Sequence, residues 1–335
     1  MKILGIESSC DETAASVYAD GKILSNIIAS QAVHEQFGGV VPELASRAHH
    51  KTIWKTVQQA LDESSFSVNE MDAIAVSQGP GLMGSLLVGI SFAKGLALSF
   101  NKPIIGINHI DAHMYANFIE HDEAYPFVAL IVSGGHTRLV YVEKPFSHEV
   151  MGQTRDDAAG EAFDKIGKIL DLPYPAGPVM DKLAQTGDPK FHKFPRSMIN
   201  KGLDFSFSGL KTSALYYTRE LEPSFVKKHL QDICASVSDA ITDVLTKKLE
   251  RAIKLKNVNH VMLAGGVSAN SMLRDKVKKL AKKMNFNLMI PSIEYCTDNA
   301  AMIAITGALK AREKQFDDLQ LKPFARITDK VLNKN

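Results

Sequence analysis

Two histidines, His109 and His113, stand four residues apart in Gly106-Ile107-Asn108-His109-Ile110-Asp111-Ala112-His113-Met114-Tyr115-Ala116-Asn117. The stretch follows an apolar run and opens a helical one, so both imidazoles fall on one helical face, close enough to reach one ion. Two imidazoles rarely complete a metal site. The further carboxylate candidate is Asp298, in Tyr295-Cys296-Thr297-Asp298-Asn299-Ala300 at the start of the last long helical segment. Such a trio leaves coordination positions open for a substrate and suits divalent iron or zinc. Two histidines that are merely exposed or packed share the same spacing, so that reading stays open at this level. A zinc peptidase is not indicated, because its helix carries His-Glu-x-x-His. Here Ile110 follows His109, and Asp111, two positions on, points away from the histidine face.

The chain that must position these residues has 335 residues, too many for one typical core and suited to two domains. With 45% hydrophobic and 23% charged residues it has the composition of a soluble globular protein. Met1 is followed by a strand-like apolar run rather than by a signal peptide. The most membrane-like stretch, residues 81 to 100, carries Gly84, Gly89, Gly95 and Lys94 and reads as a buried helix. Cys10, Cys234 and Cys296 show no paired spacing, which argues against a disulfide framework or a thiolate zinc site and for the cytoplasm. A net charge of +2 argues against holding nucleic acid by bulk electrostatics. Two local basic patches exist. Lys276, Lys278, Lys279, Lys282 and Lys283 read as a solvated helix face, whereas Lys190, His192, Lys193, Arg196 and Lys201 alternate with Phe191 and Phe194 in a loop.

In chain order, Lys2 to Glu7 is an apolar run ending in a carboxylate, and Ser8 to Thr13 a polar turn. A second run, Ala14 to Tyr18, leads through Asp20-Gly21, a hairpin signal, to Lys22 to Ala29. After Gly38, Gly39 and Pro42 a helix is predicted from Ala45 to Glu63, then a strand from Met71 to Ser77, the turn Gln78-Gly79-Pro80-Gly81 and a helix from Leu82. The second half repeats this order. Phe127 to Val132 and Thr137 to Val142 flank Ser133-Gly134-Gly135-His136. A long insertion spans about 152 to 209, a helix Ser224 to Ala252, a strand His260 to Ala264, and a helix Ala269 to Met284 follows the Gly265-Gly266 turn. The duplication predicts two similar α/β domains facing each other across a cleft: residues 1–125, completed by a C-terminal helix at about 299–325, and residues 126–298. Gly-rich turns at such a cleft offer backbone N–H groups to a phosphate, with Asn270 as a polar contact.

Those turns, in that order, resemble the ASKHA superfamily of actin, Hsp70-type ATPases and sugar kinases. The motifs are similar to one family in it. Gly5-Ile6-Glu7-Ser8-Ser9-Cys10-Asp11-Glu12-Thr13, Gly39-Val40-Val41-Pro42-Glu43-Leu44-Ala45-Ser46-Arg47, Gly79-Pro80-Gly81-Leu82, His109-Ile110-Asp111-Ala112-His113, Val132-Ser133-Gly134-Gly135-His136-Thr137, the run Asp156 to Lys165, Asp204 to Thr212 and Ala264-Gly265-Gly266-Val267-Ser268-Ala269-Asn270 resemble the TsaD family. These are bacterial tRNA N6-adenosine threonylcarbamoyltransferases, once described as glycoproteases. The likeness runs from residue 2 to about 312; the tail from Phe316 to Asn335 matches nothing in it.

The resemblance implies that His109, His113 and Asp298 bind one metal ion, Fe2+ in most bacterial descriptions with Zn2+ as the alternative. It implies that Ile131, Val132, Ser133, Gly134 and Gly135, with Asp164, Gly177, Asp181 and Asn270, hold threonylcarbamoyl-AMP. The reaction passes the threonylcarbamoyl group to N6 of adenosine 37 in tRNAs reading ANN codons and releases AMP. With so good a leaving group, orientation and oxyanion stabilisation are the main tasks. Asp11 and Glu12, in the first turn, are candidates for accepting the N6 proton or aligning the intermediate. Phe205 and Phe207 are expected to plug the insertion against the core, and Lys211 is a candidate contact to RNA phosphate. The implied partners are tRNA, a TsaB-like paralogue, a TsaE-like ATPase and a TsaC-type enzyme supplying the adenylate. An ATP-dependent small-molecule kinase or ATPase of the same superfold is the competing reading. It would hold magnesium through carboxylates and phosphate rather than a histidine pair. A non-catalytic scaffold would need neither the trio nor the turns.

Overall fold

The computed structural model describes residues 1–29 and 40–326, so Gly38 and Gly39 lie outside the described residues. The chain forms two compact units, one from Met1–Asp122 with the segment from Thr297 onward, the other from Glu123–Cys296.

In the first unit β1 (Lys2–Glu7), β2 (Thr13–Ala19) and β3 (Lys22–Ala29) form an antiparallel meander. Asp20 and Gly21 take positive φ at its second turn, as a two-residue hairpin requires. Then come α1 (Pro42–Ser64), β4 (Ala73–Gly79), α2 (Met83–Phe100), β5 (Ile104–Asn108) and the short α3 (His109–Tyr115). The sheet order is β3-β2-β1-β4-β5, with β4 parallel to both β1 and β5. Helix α1 starts three residues before Ala45, because Pro42 has no N–H to leave unpaired and a φ already suited to a first turn.

The second unit repeats the plan. β6 (Phe127–Val132), β7 (Thr137–Lys144) and β8 (Ser147–Gln153) form the meander; α4 (Ala159–Ile169), α5 (Ala176–Ala184), α6 (Ser208–Arg219), α7 (Pro223–Lys228) and α8 (Leu230–Lys256) follow. Then β9 (His260–Ala264), α9 (Ser271–Met284) and β10 (Asn287–Met289) complete it. The order β10-β9-β6-β7-β8, with β9 parallel to both β6 and β10, matches the first sheet strand for strand. The predicted helix from Ser224 to Ala252 is two helices. His229 stacks on Phe191 at 4.8 Å and bonds Asp232 at 3.0 Å, and this side-chain docking breaks the helical run. The stretch 152–209 is no loose insertion, since Ala159, Phe163, Ile166, Met180 and Phe194 belong to the unit's core.

The last helix, α10 (Ala300–Arg312), returns to the first unit. Strand alternation sends Leu4, Ile6, Ile74 and Val76 to the core shared with α1 and α2, and Ile3, Ala73 and Ala75 to that shared with α3 and α10. Helix α2 is long and apolar enough to cross a membrane by composition, yet Ile90, Ala93, Leu96 and Ala97 lie in the first of these cores. The described part of the tail is also fixed. Asp317 pairs with Ile104 and accepts from the Gly106 N–H at 2.8 Å, while the Phe324 N–H donates to Gln78 O at 3.2 Å.

Backbone closeness sets where α10 lies. A Cβ at Gly5 would stand 2.6 Å from the Ala300 carbonyl oxygen and 2.7 Å from the Ala304 nitrogen. Gly5→Ala is therefore expected to lower stability by about 1–3 kcal/mol, read as a lower urea midpoint; an unchanged midpoint would show that α10 yields without cost.

Candidate active site

Asn108 ends β5 and caps α3, its side-chain oxygen accepting from the Ile110 and Asp111 N–H groups. That cap fixes the start of a seven-residue helix whose inner face carries both histidines, buried, with ring centroids 4.8 Å apart. Asp298 precedes the N-cap of α10, Asn299, which accepts from the Met302 N–H at 3.0 Å. Its Oδ1 lies 3.1 Å from His113 Nε2 and 3.5 Å from His109 Nε2. The three ligand atoms lie within 4.8 Å of one another, so the structure brings together the trio read from the sequence.

The electrostatics fit a cation. Burial alone would lower the His109 pKa, but the Asp298 and Glu7 carboxylates raise it to about 9. Burial, then Asp298 and Asp11, push the Glu12 carboxyl up to about 9. Two imidazoles and one carboxylate in a pocket with this surplus of negative charge are a donor set for one divalent metal ion. The Cys10 thiol is pushed far up by burial and by Asp11 and Asp298. The turn bearing Cys10, Asp11 and Glu12 is tied to α1 through His49, whose Nε2 donates to the Cys10 carbonyl at 2.9 Å and whose Nδ1 accepts from Thr13 Oγ1 at 2.7 Å. Asp111 lies elsewhere, contributing to the field at Lys310, which agrees with the missing peptidase base.

In the second unit the Ser133–His136 turn closes on itself. The Ser133 N–H donates to His136 O at 2.8 Å, and the His136 N–H to Ser133 Oγ at 3.1 Å. Gly160 and Gly265 press on it: a Cβ on either would stand 2.5 Å from the Ser133 or the Val132 carbonyl oxygen, and Gly265 has φ of 84°. Gly134 and Gly135 face open space, whereas Ile131 and Val132 are fully buried strand residues that offer only backbone. Asp164 accepts from the Ala176 N–H at 2.8 Å at the start of α5, beside Gly177, and burial raises its pKa. Asp181 accepts from Ser271 N and Oγ at 3.0 and 2.8 Å; Asn270 caps α9 through the Leu273 N–H at 2.9 Å. Asp181 and Asn270 thus meet at one helix start, the end of the Gly265–Asn270 turn. That turn displaces the start of α9 from Ala269 to Ser271. Arg274 braces the turn, donating to Ser268 O at 2.7 Å and Pro291 O at 2.8 Å.

Comparison with known proteins gives the geometry its context. A family described as TsaD, tRNA N6-adenosine threonylcarbamoyltransferase, matches residues 22–305. The tRNA N6-adenosine threonylcarbamoyltransferase of Christiangramia forsetii is 52% identical over 333 residues, covering 97% of this chain and 98% of that one. That of Riemerella anatipestifer is 50% identical, covering 97% of each. The chain belongs to the TsaD family. The activator of 2-hydroxyisocaproyl-CoA dehydratase from Clostridium difficile, solved with bound ADPNP, shares the fold at a TM-score of 0.53 and 13% identity, covering 95% of this chain and 99% of that one. The duplicated α/β fold is thus of the ASKHA type, as the motif order implies.

Other family motifs are structural in this chain. Phe205 and Phe207 are buried and stacked, and Asp156 Oδ1 accepts from the Phe207 and Ser208 N–H groups at 2.8 and 3.2 Å to cap α6. The basic patches shrink. Lys276 and Arg196 both pair with Asp239 and Asp243, Phe194 is buried, and His192 stacks on Tyr217 at 3.8 Å, leaving Lys190, Lys193 and Lys201 exposed. Lys276 is therefore part of an ion-pair network, not of a solvated face. Glu7, Ser9 and His49 are close to the site yet were not singled out as site residues by spacing; the one signal for Glu7 is a carboxylate at the end of an apolar run.

His109 and Glu12 both retain protons in the metal-free fold that the unfolded chain would release. Metal-free stability is therefore expected to fall as pH rises from about 4.5 towards 9, through the Glu12 and then the His109 window. A divalent ion displaces those protons, so metal affinity is expected to rise over the same range. Thermal unfolding with and without Zn2+ across that range checks both; a flat metal-free profile would contradict the proton assignment.

Proposed function

We propose that this protein transfers the threonylcarbamoyl group from threonylcarbamoyl-AMP to N6 of adenosine 37 in tRNAs reading ANN codons, forming t6A and releasing AMP. The observation that carries this reading is about 50% identity, over nearly the whole chain, to relatives named for this transfer. The kinase reading gains no such support. We further propose that the two compact units are the family's two domains, with α10 completing the first, and that the protein works in the cytoplasm.

In this reading the Ser133–Gly135 turn and the Gly265–Asn270 turn receive the adenylate, the exposed Gly134 and Gly135 letting its phosphate approach the backbone. Asp164, Gly177, Asp181 and Asn270 shape the nucleotide end. His109, His113 and Asp298 hold one divalent ion, Fe2+ in preference to Zn2+, which when bound supplies open positions and polarises a carbonyl. Glu12 takes the N6 proton in this reading. Its carboxyl is raised by burial and neighbouring carboxylates, and a cation on the trio offsets that charge and makes it a usable base near neutral pH. Asp11 aligns the intermediate.

A near-neutral chain needs help to hold tRNA, and the face of α1 and α2 suits a protein partner. His50, Ile53, Trp54, Leu87, Val88, Ser91 and Phe92 line a hollow of about 560 Å³ there, with Trp54 58% exposed. A TsaB-like paralogue is the proposed occupant, with a TsaE-like ATPase and a TsaC-type enzyme completing the set.

The test is one incubation of purified protein and these partners with unmodified tRNA, threonine labelled in its adenylate, and Fe2+. Label in the nucleoside at position 37 is expected. Asp298→Ala is expected to lower single-turnover transfer at least about 100-fold by removing an ion ligand, and Glu12→Gln to lower it with the metal retained. Label elsewhere, or none with all components present, would reject the assignment.

A further inference from the structure

We propose that Glu7 is a positioning residue for the metal centre, holding the His109 ring so that Nδ1 carries its proton and Nε2 is presented to the ion. This rests on reading His109, His113 and Asp298 as a metal site. Glu7 ends β1 with no exposed surface, and among the described residues no lysine or arginine lies within ion-pair distance of it. An uncompensated buried carboxylate is expensive, so its neighbours show what keeps it there.

Its two oxygens are divided between two donors. Oε1 accepts from the Ser9 N–H at 2.5 Å, and Oε2 faces His109 Nδ1 at 3.1 Å. Ser9 Oγ lies 3.0 Å from the same nitrogen. A carboxylate can only accept, so Nδ1 is the donor, and once an ion displaces the second ring proton the lone pair is on Nε2. Nε2 is the atom on the Asp298 side, 3.5 Å from Oδ1. An acid behind a metal-binding imidazole fixes its tautomer and orientation and raises its basicity.

The anchor is rigid. Ser8 N donates to Ser77 Oγ at 3.1 Å, Ser8 Oγ to Ser85 O at 3.1 Å, and Leu82 N to Ser9 O at 2.8 Å. Gly81 leaves room for this packing, since a Cβ there would stand 2.9 Å from the Ser9 Cβ. Glu7 is thus bound to the framework of β4 and α2 before it touches the histidine.

Zinc is the probe. The purified protein with one equivalent of Zn2+ and 15N-labelled histidine is expected to show His109 bound through Nε2, with a slowly exchanging Nδ1–H. Glu7→Gln keeps the volume, but its amide can offer Nδ1 an N–H as readily as an oxygen. It is expected to weaken Zn2+ binding about 10- to 100-fold in a chelator competition and to lose the slow Nδ1–H signal. Ser9→Ala, which leaves Glu7 in place, is expected to bind within about threefold of the parent, because a carboxylate acceptor outweighs a hydroxyl. Zn2+ binding by Glu7→Gln as tight as the parent's overturns the proposal. So does His109 bound through Nδ1 in the parent, a result that needs no variant to fold. Failure of the parent protein to take up Zn2+ at all would instead reject the metal reading on which the proposal stands.

Discussion

The seating of α10 against β1 is the contact on which the candidate centre depends. Asp298 comes from the far end of the chain, and it reaches the α3 histidines because Gly5 lets the first turn of α10 approach strand backbone. Gly307 does the same further along, where a Cβ would stand 2.6 Å from the Ala75 Cβ. Two missing side chains therefore fix a helix, and the helix start fixes an aspartate. The geometry needed for an ion is a consequence of packing density more than of any local bond among the ligands.

The same logic runs through the second unit. Its Gly-rich turns are held from outside: Gly160 and Gly265 press on the Ser133 turn, Arg274 braces the Gly265–Asn270 turn, and Asp181 pins Ser271. The open glycines, Gly134 and Gly135, sit between these clamps. Rigid support with an open backbone is what an acyl transfer with a good leaving group asks for, since orientation rather than nucleophile activation limits it. The clamping residues matter for where the N–H groups stand.

Much of this was legible in the sequence, for identifiable reasons. Alternation and Gly-rich punctuation marked seven of the ten described strands to within about two residues, missing β5, β8 and β10, and repetition of one pattern marked two similar α/β units. The histidine pair was visible because both ligands lie within one helical turn. Asp298 was visible only as a candidate, and the motif resemblance tied it to them. Less legible were features decided by tertiary contact. The break at His229 follows from stacking on Phe191, the early start of α1 from Pro42, and the shrinking of the basic patches from Asp239 and Asp243 claiming Arg196 and Lys276. Glu7 escaped notice as a site residue because its partner, His109, is remote in sequence and no spacing rule links them.

The central claim is that one ion sits between two imidazoles and a carboxylate in this chain. X-ray absorption at the iron edge of anaerobically loaded protein tests it most directly. The account predicts a first shell with two imidazole nitrogens, at about 2.0–2.2 Å, and oxygen ligands for the rest, with the imidazole scattering halved in His113→Ala. An all-oxygen shell, or a spectrum unchanged by that substitution, would contradict it.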